Sequence, residues 1–369
     1  MDGQETVEMD AVAISQQKSA DLRFQLNASK IHPVLLFGTA SSGKSALLQS
    51  MVYYGEYGKD AGFRVSRGAD VFPPDYPHSS LRNNLAKQFY LGNIIDGRRE
   101  GLYPQHTQAL HQFFIPVDLA PSAGLSRRFA FLEGNGELFN RRPAQTPGGV
   151  PEYAALTPLV EDLIRHYDQP LSLILVAPYH VEMAGGARGN VVGREESCIC
   201  LERAIAQYFT LRAPGLQHRD NICLLVSKWD LKCRREEGHN TQRRISFPGL
   251  LDISHPDMVD VIRPWVNLWN TFSLQPNFRG GRALMPYSSG VDIDGTIVLD
   301  HPAQPDFDFM NRTLWNWLYG NATAKYSPAA IPVRDVLCPD TVTPRVCKQT
   351  WVETLGAMLL RAKRLVETG

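Results

Sequence analysis

The sequence predicts an α/β domain built on a mainly parallel sheet, and three observations carry that expectation. From about Pro33 onward, short apolar runs alternate with helical patterns, as in chains that lay helices over a parallel sheet. A glycine-rich loop, Gly38-Thr39-Ala40-Ser41-Ser42-Gly43-Lys44-Ser45, divides the first apolar run from the first helical pattern. Two later apolar runs flank the turn-rich stretch Pro121-Ser122-Ala123-Gly124, which predicts an antiparallel pair within the sheet.

The elements follow in order. Val34 to Phe37 reads as a buried strand, and Leu47, Leu48 and Met51 share one helical face after the glycine-rich loop. Residues 55–80, rich in Gly, Pro and Asp, read as an extended loop. Leu81, Leu85 and Phe89 mark a second helix that closes near Gly97. Leu110 to Val117 and Arg128 to Leu132 are the antiparallel strands. A helix through Leu156, Leu159, Leu163 and Ile164 leads to the strand Leu171 to Ala177. A helix from about Arg194 to Leu211 leads to the strand Ile222 to Val226. A helix near Met258 to Phe272, a strand Ala283 to Tyr287 and a helix through Leu314, Trp317 and Leu318 complete the set. The division is a polar N-terminal segment, 1–30, a domain over 31–320 with an inserted loop and helix at about 55–100, and a C-terminal tail, 321–369. Trp351, Leu355, Met358, Leu359, Ala362 and Leu365 give that tail an amphipathic helix, which either packs on the sheet or docks on a partner.

Composition narrows the function classes. Of 369 residues, 43% are hydrophobic and 21% charged, enough apolar material for a core. Lys plus Arg and Asp plus Glu are both 38, so no global field draws nucleic acid or anionic lipid. No apolar run approaches the roughly 20 residues that span a bilayer, and the acidic start Met1-Asp2-Gly3-Gln4-Glu5 is no secretory signal. Six cysteines without a C-x-x-C read as reduced thiols of a cytoplasmic protein rather than as metal ligands.

The loop Gly38 to Ser45 fits G-x-x-x-x-G-K-[ST], and phosphate binding explains each residue type. Backbone N–H groups close around phosphate oxygens, which requires glycine where the chain turns back or comes close. The following helix turns its positive dipole end toward the anion. Lys44 reaches the β and γ phosphates, and the Ser45 hydroxyl is a ligand for Mg²⁺. The pattern arises by chance on the order of once per hundred chains of this size, and its place between strand and helix lowers that rate further.

Four further motifs follow in a fixed order. Gly101-Leu102-Tyr103-Pro104-Gln105-His106-Thr107 precedes the first strand of the antiparallel pair. Phe131-Leu132-Glu133-Gly134-Asn135-Gly136-Glu137 ends the second. Ser227-Lys228-Trp229-Asp230 leaves the strand at Val226, and Tyr287-Ser288-Ser289-Gly290 leaves the last strand. Together with the glycine-rich loop, this set resembles the translation-factor-related (TRAFAC) class of P-loop GTPases. Within that class it looks most like the bacterial double-GTPase-type domains of conflict systems.

The resemblance spans residues 31–320 and implies a three-layer P-loop NTPase fold with one antiparallel strand. It implies GTP or GDP with Mg²⁺ as ligand, Gly38, Ala40, Ser41, Ser42, Gly43, Lys44 and Ser45 at the phosphates, and Gly136 at the γ-phosphate. Ser45, Thr107 and Glu133 would serve the metal. Ser227, Lys228 and Asp230 would read guanine, with the Ser288 and Ser289 backbone at its O6. Glu133 stands where the family usually has Asp, and Ser227 where Asn or Thr is commoner. Thr107 and Glu137 are the candidate catalytic residues, with Glu137 in the place of a water-orienting glutamine. The methyl of Ala40 would crowd an arginine supplied by a partner. Arg98 and Arg99 read either as an internal arginine finger or as a solvated helix end. The resemblance thus implies a switch with slow intrinsic hydrolysis, on the order of 10⁻⁴ to 10⁻³ s⁻¹, and a protein partner or regulator. An ATP-dependent enzyme and a nucleotide-bound interaction module without turnover are the alternatives.

Overall fold

The computed structural model describes residues 20–39, 42–58, 62–102, 104, 112–134, 156–179, 194–229, 265–273, 275, 280–293, 296–299 and 305–323. Among the described residues, seven strands form one sheet: β1 (Ile31–Phe37), β2 (Phe63–Arg67), β3 (Phe113–Pro121), β4 (Arg127–Glu133), β5 (Ser172–Pro178), β6 (Asn221–Ser227) and β7 (Gly281–Pro286). Their order is β2-β3-β4-β1-β5-β6-β7. β1 pairs in parallel with β4 and β5, β5 with β6, and β6 with β7. β3 is antiparallel to both neighbours, so it alone runs against the sheet. The central strands are buried along their whole length, which is why they read as unbroken apolar runs rather than alternating ones.

Helices cover both faces, giving the expected three-layer α/β architecture. On one face lie α2 (Lys44–Tyr57), α3 (Ser79–Gln88) and the long α9 (Pro305–Thr323). The indole of Trp315 on α9 donates to the Met51 carbonyl of α2 at 2.9 Å and packs edge-on to Phe63, Phe129 and Phe131. The other face carries α5 (Pro158–His166), α6 (Arg194–Leu211) and α8 (Val266–Ser273), with α7 (Pro214–Gln217) a single turn ahead of β6. α5 has Pro158 in its first turn, Glu161 at the positive end of its dipole and Arg165 and His166 at the negative end.

Several elements differ from the sequence reading. Residues 20–28, placed ahead of the domain, form α1, with Leu22 and Leu26 fully buried. The stretch read as an extended loop, 55–80, contains β2, whose Phe63 and Val65 point inward while Arg64 and Ser66 point out. β2 packs against α2 at Gly55, where an added Cβ would lie 2.3 Å from Val65 Cγ2. The second helix closes at Arg99, near Gly97 as expected, but it is not one regular α-helix: α3 passes into a π-helical segment, Phe89–Asp96, and then into α4 (Gly97–Arg99). β3 begins at Phe113, not Leu110, and runs through Pro121 into the expected turn. β8 (Gly290–Ile293) and β9 (Thr296–Leu299) form an unanticipated hairpin.

A polar network crosses the core at β1. His32 Nε2 lies 2.8 Å from Ser172 Oγ on β5, and Asn321 of α9 donates to the same hydroxyl at 3.0 Å. Burial lowers the His32 pKa from 6.5 to about 3. The unfolded chain therefore takes up a proton near pH 6.5 that the folded one refuses, and stability falls as pH drops from 6.5 toward 3. Between pH 7 and pH 5 the loss from His32 is about 2 kcal/mol. Urea unfolding of the parent and of His32→Val at both pH values should show a smaller pH penalty in the variant; equal penalties would refute the buried neutral imidazole.

Candidate functional site

The glycine-rich loop leaves the end of β1 and opens α2 at the middle of the sheet. Two glycines shape it. An added Cβ at Gly38 would lie 2.5 Å from Ser42 Oγ and 2.9 Å from the Val176 carbonyl. Gly43 has φ of 98°, the left-handed region that favours glycine. A Ser42 N–H bond to the Thr39 carbonyl at 3.2 Å and a Leu47 N–H bond to the Gly43 carbonyl at 2.8 Å bracket the turn into α2.

Lys44 is buried, and its ammonium donates to the Gly38 carbonyl at 2.7 Å and the Thr39 carbonyl at 2.9 Å. Burial lowers its pKa from 10.5 to about 8, while Glu133 acts to raise it. The group is thus a desolvated cation at neutral pH, folded back along its own loop. Beside it, the Ser45 hydroxyl donates to Glu133 Oε1 at 3.1 Å. Glu133, 2% exposed, is the last residue of β4 and stands opposite Phe113 in the β3 register. One loop therefore presents a buried ammonium, and the neighbouring strand end adds a carboxylate within reach of a hydroxyl. These are hard oxygen donors of the kind Mg²⁺ takes, in a number that leaves positions for phosphate and water. Among the described residues, no group of three or more His, Cys, Asp or Glu gathers to hold a metal, and at this loop Glu133 is the one such residue beside the Ser45 hydroxyl. The donor set fits an anionic phosphate with a divalent cation.

The loops after β6 and β7 close the other side. Ser227 Oγ donates to the Ser42 carbonyl, and an added Cβ on Gly43 would lie 3.5 Å from Ser227 Cβ. Lys228 is held at φ of 58°, uncommon for a residue with a side chain. The bonds that hold it are Tyr179 N–H to the Ser227 carbonyl at 2.7 Å and Trp229 N–H to the Tyr287 carbonyl at 3.2 Å. Tyr287 N–H in turn donates to Val226 at 2.8 Å, so the two loops leave the sheet as one ladder. Ser288 Oγ donates to the Gly290 carbonyl and closes the second loop on itself.

The structure thus gathers Gly38, Ser42, Gly43, Lys44, Ser45, Glu133 and Ser227 around one loop. Lys228 and, after β7, Ser288 and Ser289 lie on the adjoining ladder. Ala40, Ser41, Thr107, Gly136, Glu137 and Asp230 lie outside the described residues. The chain beyond two of these segments is nonetheless anchored. Thr157, at the start of α5, donates its hydroxyl to Gln112 Oε1 just ahead of β3, and Arg82 of α3 donates to the Gln112 carbonyl.

Arg98 corrects the sequence reading. It is 6% exposed, not a solvated helix end, and its guanidinium donates to the Ser289 carbonyl at 3.0 Å and to Ser50 Oγ of α2 at 3.4 Å. Arg99 does lie on the surface, bonded to the Tyr57 hydroxyl.

No protein-family model matches the chain, and no curated protein does. Among solved structures, it is similar to a chain described as the signal recognition particle receptor SRb-GTP/SRX complex from Chaetomium thermophilum. The two share 12% identity over 78% of this chain and 98% of that one, with a TM-score of 0.34. So loose a superposition carries no argument about ligand or partner, and the fold stands on the strand order above. Among the described residues, no helix is long and apolar enough to cross a membrane.

Proposed function

We propose that this protein is a guanine-nucleotide switch that binds GTP with Mg²⁺, hydrolyses it slowly to GDP and presents the two states to a protein partner. The buried ammonium of Lys44, beside the Ser45–Glu133 pair at the mouth of a strand-loop-helix turn, carries this reading. A desolvated cation bonded to neutral carbonyls gains from an anion placed against it. In the bound state Lys44 would turn from the Gly38 and Thr39 carbonyls to the β and γ phosphates. Ser45 and Glu133 would hold Mg²⁺, whose charge lowers the cost of gathering phosphate oxygens there. Gly38 and Gly43 let the backbone N–H groups of the loop approach the phosphate, and Ser227 fixes the loop from behind.

In this proposal Thr107 senses the γ-phosphate, Gly136 contributes its N–H, and Glu137 orients the attacking water. Arg98 is not assigned to the transition state, since it is engaged at Ser289. The test is titration of the protein with a fluorescent GTP analogue, with and without Mg²⁺, followed by single-turnover hydrolysis. Lys44→Ala should weaken binding about 10- to 100-fold for each charge-assisted hydrogen bond lost. An affinity unchanged by Lys44→Ala would remove the site from the loop.

A further inference from the structure

We infer that Arg98, on the segment inserted between α2 and β3, is a positioning residue for base recognition that acts through the loop after β7. The inference rests on the guanine-nucleotide reading above and adds to it a residue outside the five motifs. The observation is a tertiary bond across 191 residues: the Arg98 guanidinium donates to the Ser289 carbonyl at 3.0 Å. The same nitrogen lies 3.4 Å from Ser50 Oγ on the helix that follows the phosphate loop. Arg98 therefore ties the base side of the site to the phosphate side.

The scaffold around Arg98 is built to hold it still. Gln49, fully buried on α2, donates from Nε2 to the Asn93 carbonyl of the π-helical segment at 2.7 Å and to the Leu102 carbonyl at 2.9 Å. Leu102 N–H closes back on the Gly97 carbonyl at 2.7 Å. Gly97 lets the backbones meet, since a Cβ there would lie 3.1 Å from the Gly92 carbonyl and 3.3 Å from Gln49 Nε2. Taking a guanidinium out of water costs several kcal/mol unless its donors find acceptors. Apolar packing alone would be served by leucine or methionine. The position thus uses the one thing arginine adds, a strong directed donor, and aims it at a loop carbonyl.

Within Ser288-Ser289-Gly290, two N–H groups are engaged locally: Ser288 N–H with Met310 Sδ at 3.4 Å and Gly290 N–H with Ser288 Oγ at 3.4 Å. We assign the Ser289 N–H to guanine O6, and Arg98 grips the carbonyl of that same residue. The Ser289 carbonyl shares its rigid peptide plane with the Gly290 N–H, and only the Ser289 Cα separates that plane from the one carrying the Ser289 N–H. The grip of Arg98 therefore restrains the path of the loop through Ser289 and with it the direction from which Ser289 meets the base.

Two analogues separate this role from general loosening. In 6-thio-GTP, sulfur, a poorer acceptor, replaces O6. ITP keeps O6 and lacks the 2-amino group that Asp230 would bind. In Arg98→Met the preference for GTP over 6-thio-GTP should shrink about tenfold, the worth of one hydrogen bond, while the preference for GTP over ITP stays within twofold of the parent. Thermal melting reports whether the variant is folded. If Arg98→Met does not fold, Arg98→Lys keeps a buried cation without the planar fork and should move the same ratio about threefold. Both ratios unchanged in a folded variant, or both collapsing together, would overturn the role of Arg98. A parent protein without guanine preference would instead overturn the proposed function.

Discussion

GTP is expected to outcompete ATP by roughly 10⁴-fold, because a site built to pair with the N1–H and 2-amino groups of guanine leaves its own polar groups unpaired against adenine. In the proposed function the pairing group would be the carboxylate of Asp230, the residue that follows Trp229. Trp229 is buried, stacks edge-on to Tyr179 at 5.7 Å and is bonded through its N–H to Tyr287. The chain thus leaves for Asp230 from a pinned backbone rather than from a loose turn. Asp230→Asn exchanges an acceptor pair for a donor and an acceptor. It should weaken GTP by several orders of magnitude while improving xanthosine triphosphate, whose 2-oxo group accepts where guanine donates. Displacement of a fluorescent nucleotide by GTP, ATP and xanthosine triphosphate measures all three. Equal affinity of the parent for GTP and ATP would sink the guanine assignment and favour an ATP-dependent activity.

The geometry of the glycine-rich loop between β1 and α2 was legible in the sequence because it is set locally. Eight consecutive residues set the glycine conformations, the lysine and the hydroxyl, and the flanking strand and helix announce themselves by periodicity. Glu133 was legible for a related reason, as the acidic end of a buried strand. What escaped depends on long-range partners. Arg98 and Arg99 are identical neighbours in the sequence, yet one is buried against Ser289 and the other lies on the surface. No local pattern tells them apart. β2 escaped because its alternation lasts only five residues and is framed by Gly58, Gly62 and Gly68, which dominate the local signal. The start of β3 was misplaced because the apolar signal at Leu110 precedes the first paired residue, Phe113, which faces Glu133.

At the opposite end of the strands that deliver Ser227 lies a second buried ionic cluster, and Asp220→Ala should destabilise the fold by about 3–5 kcal/mol. Arg212, at the end of α6, and Asp220, ahead of β6, are both fully buried. Two parallel bonds join them, Nε to Oδ2 at 2.7 Å and Nη2 to Oδ1 at 2.9 Å. Asp220 also accepts from Leu171 N–H at 2.8 Å and from the Tyr208 hydroxyl at 2.7 Å. Burial, then the neighbouring Asp220, pushes the Tyr208 pKa well above its usual value, so this phenol remains a donor. Arg212 spends its other donors on the carbonyls of Ile164, Tyr167 and Gln169, ahead of β5. The cluster thereby joins the starts of β5 and β6, whose register runs from Ser172–Asn221 to Pro178–Ser227. Removing the carboxylate leaves a guanidinium uncompensated in the core and orphans the Leu171 N–H. Asp220→Asn, which keeps the shape and one acceptor, should cost less. Because the cluster sits seven residues of strand away from Ser227, protein that remains folded should bind GTP with parental affinity. Urea unfolding of both variants, with nucleotide titration well below the transition, separates the two quantities. A loss under 1 kcal/mol in Asp220→Ala would show that the core tolerates the lone arginine and that the cluster does not set the register.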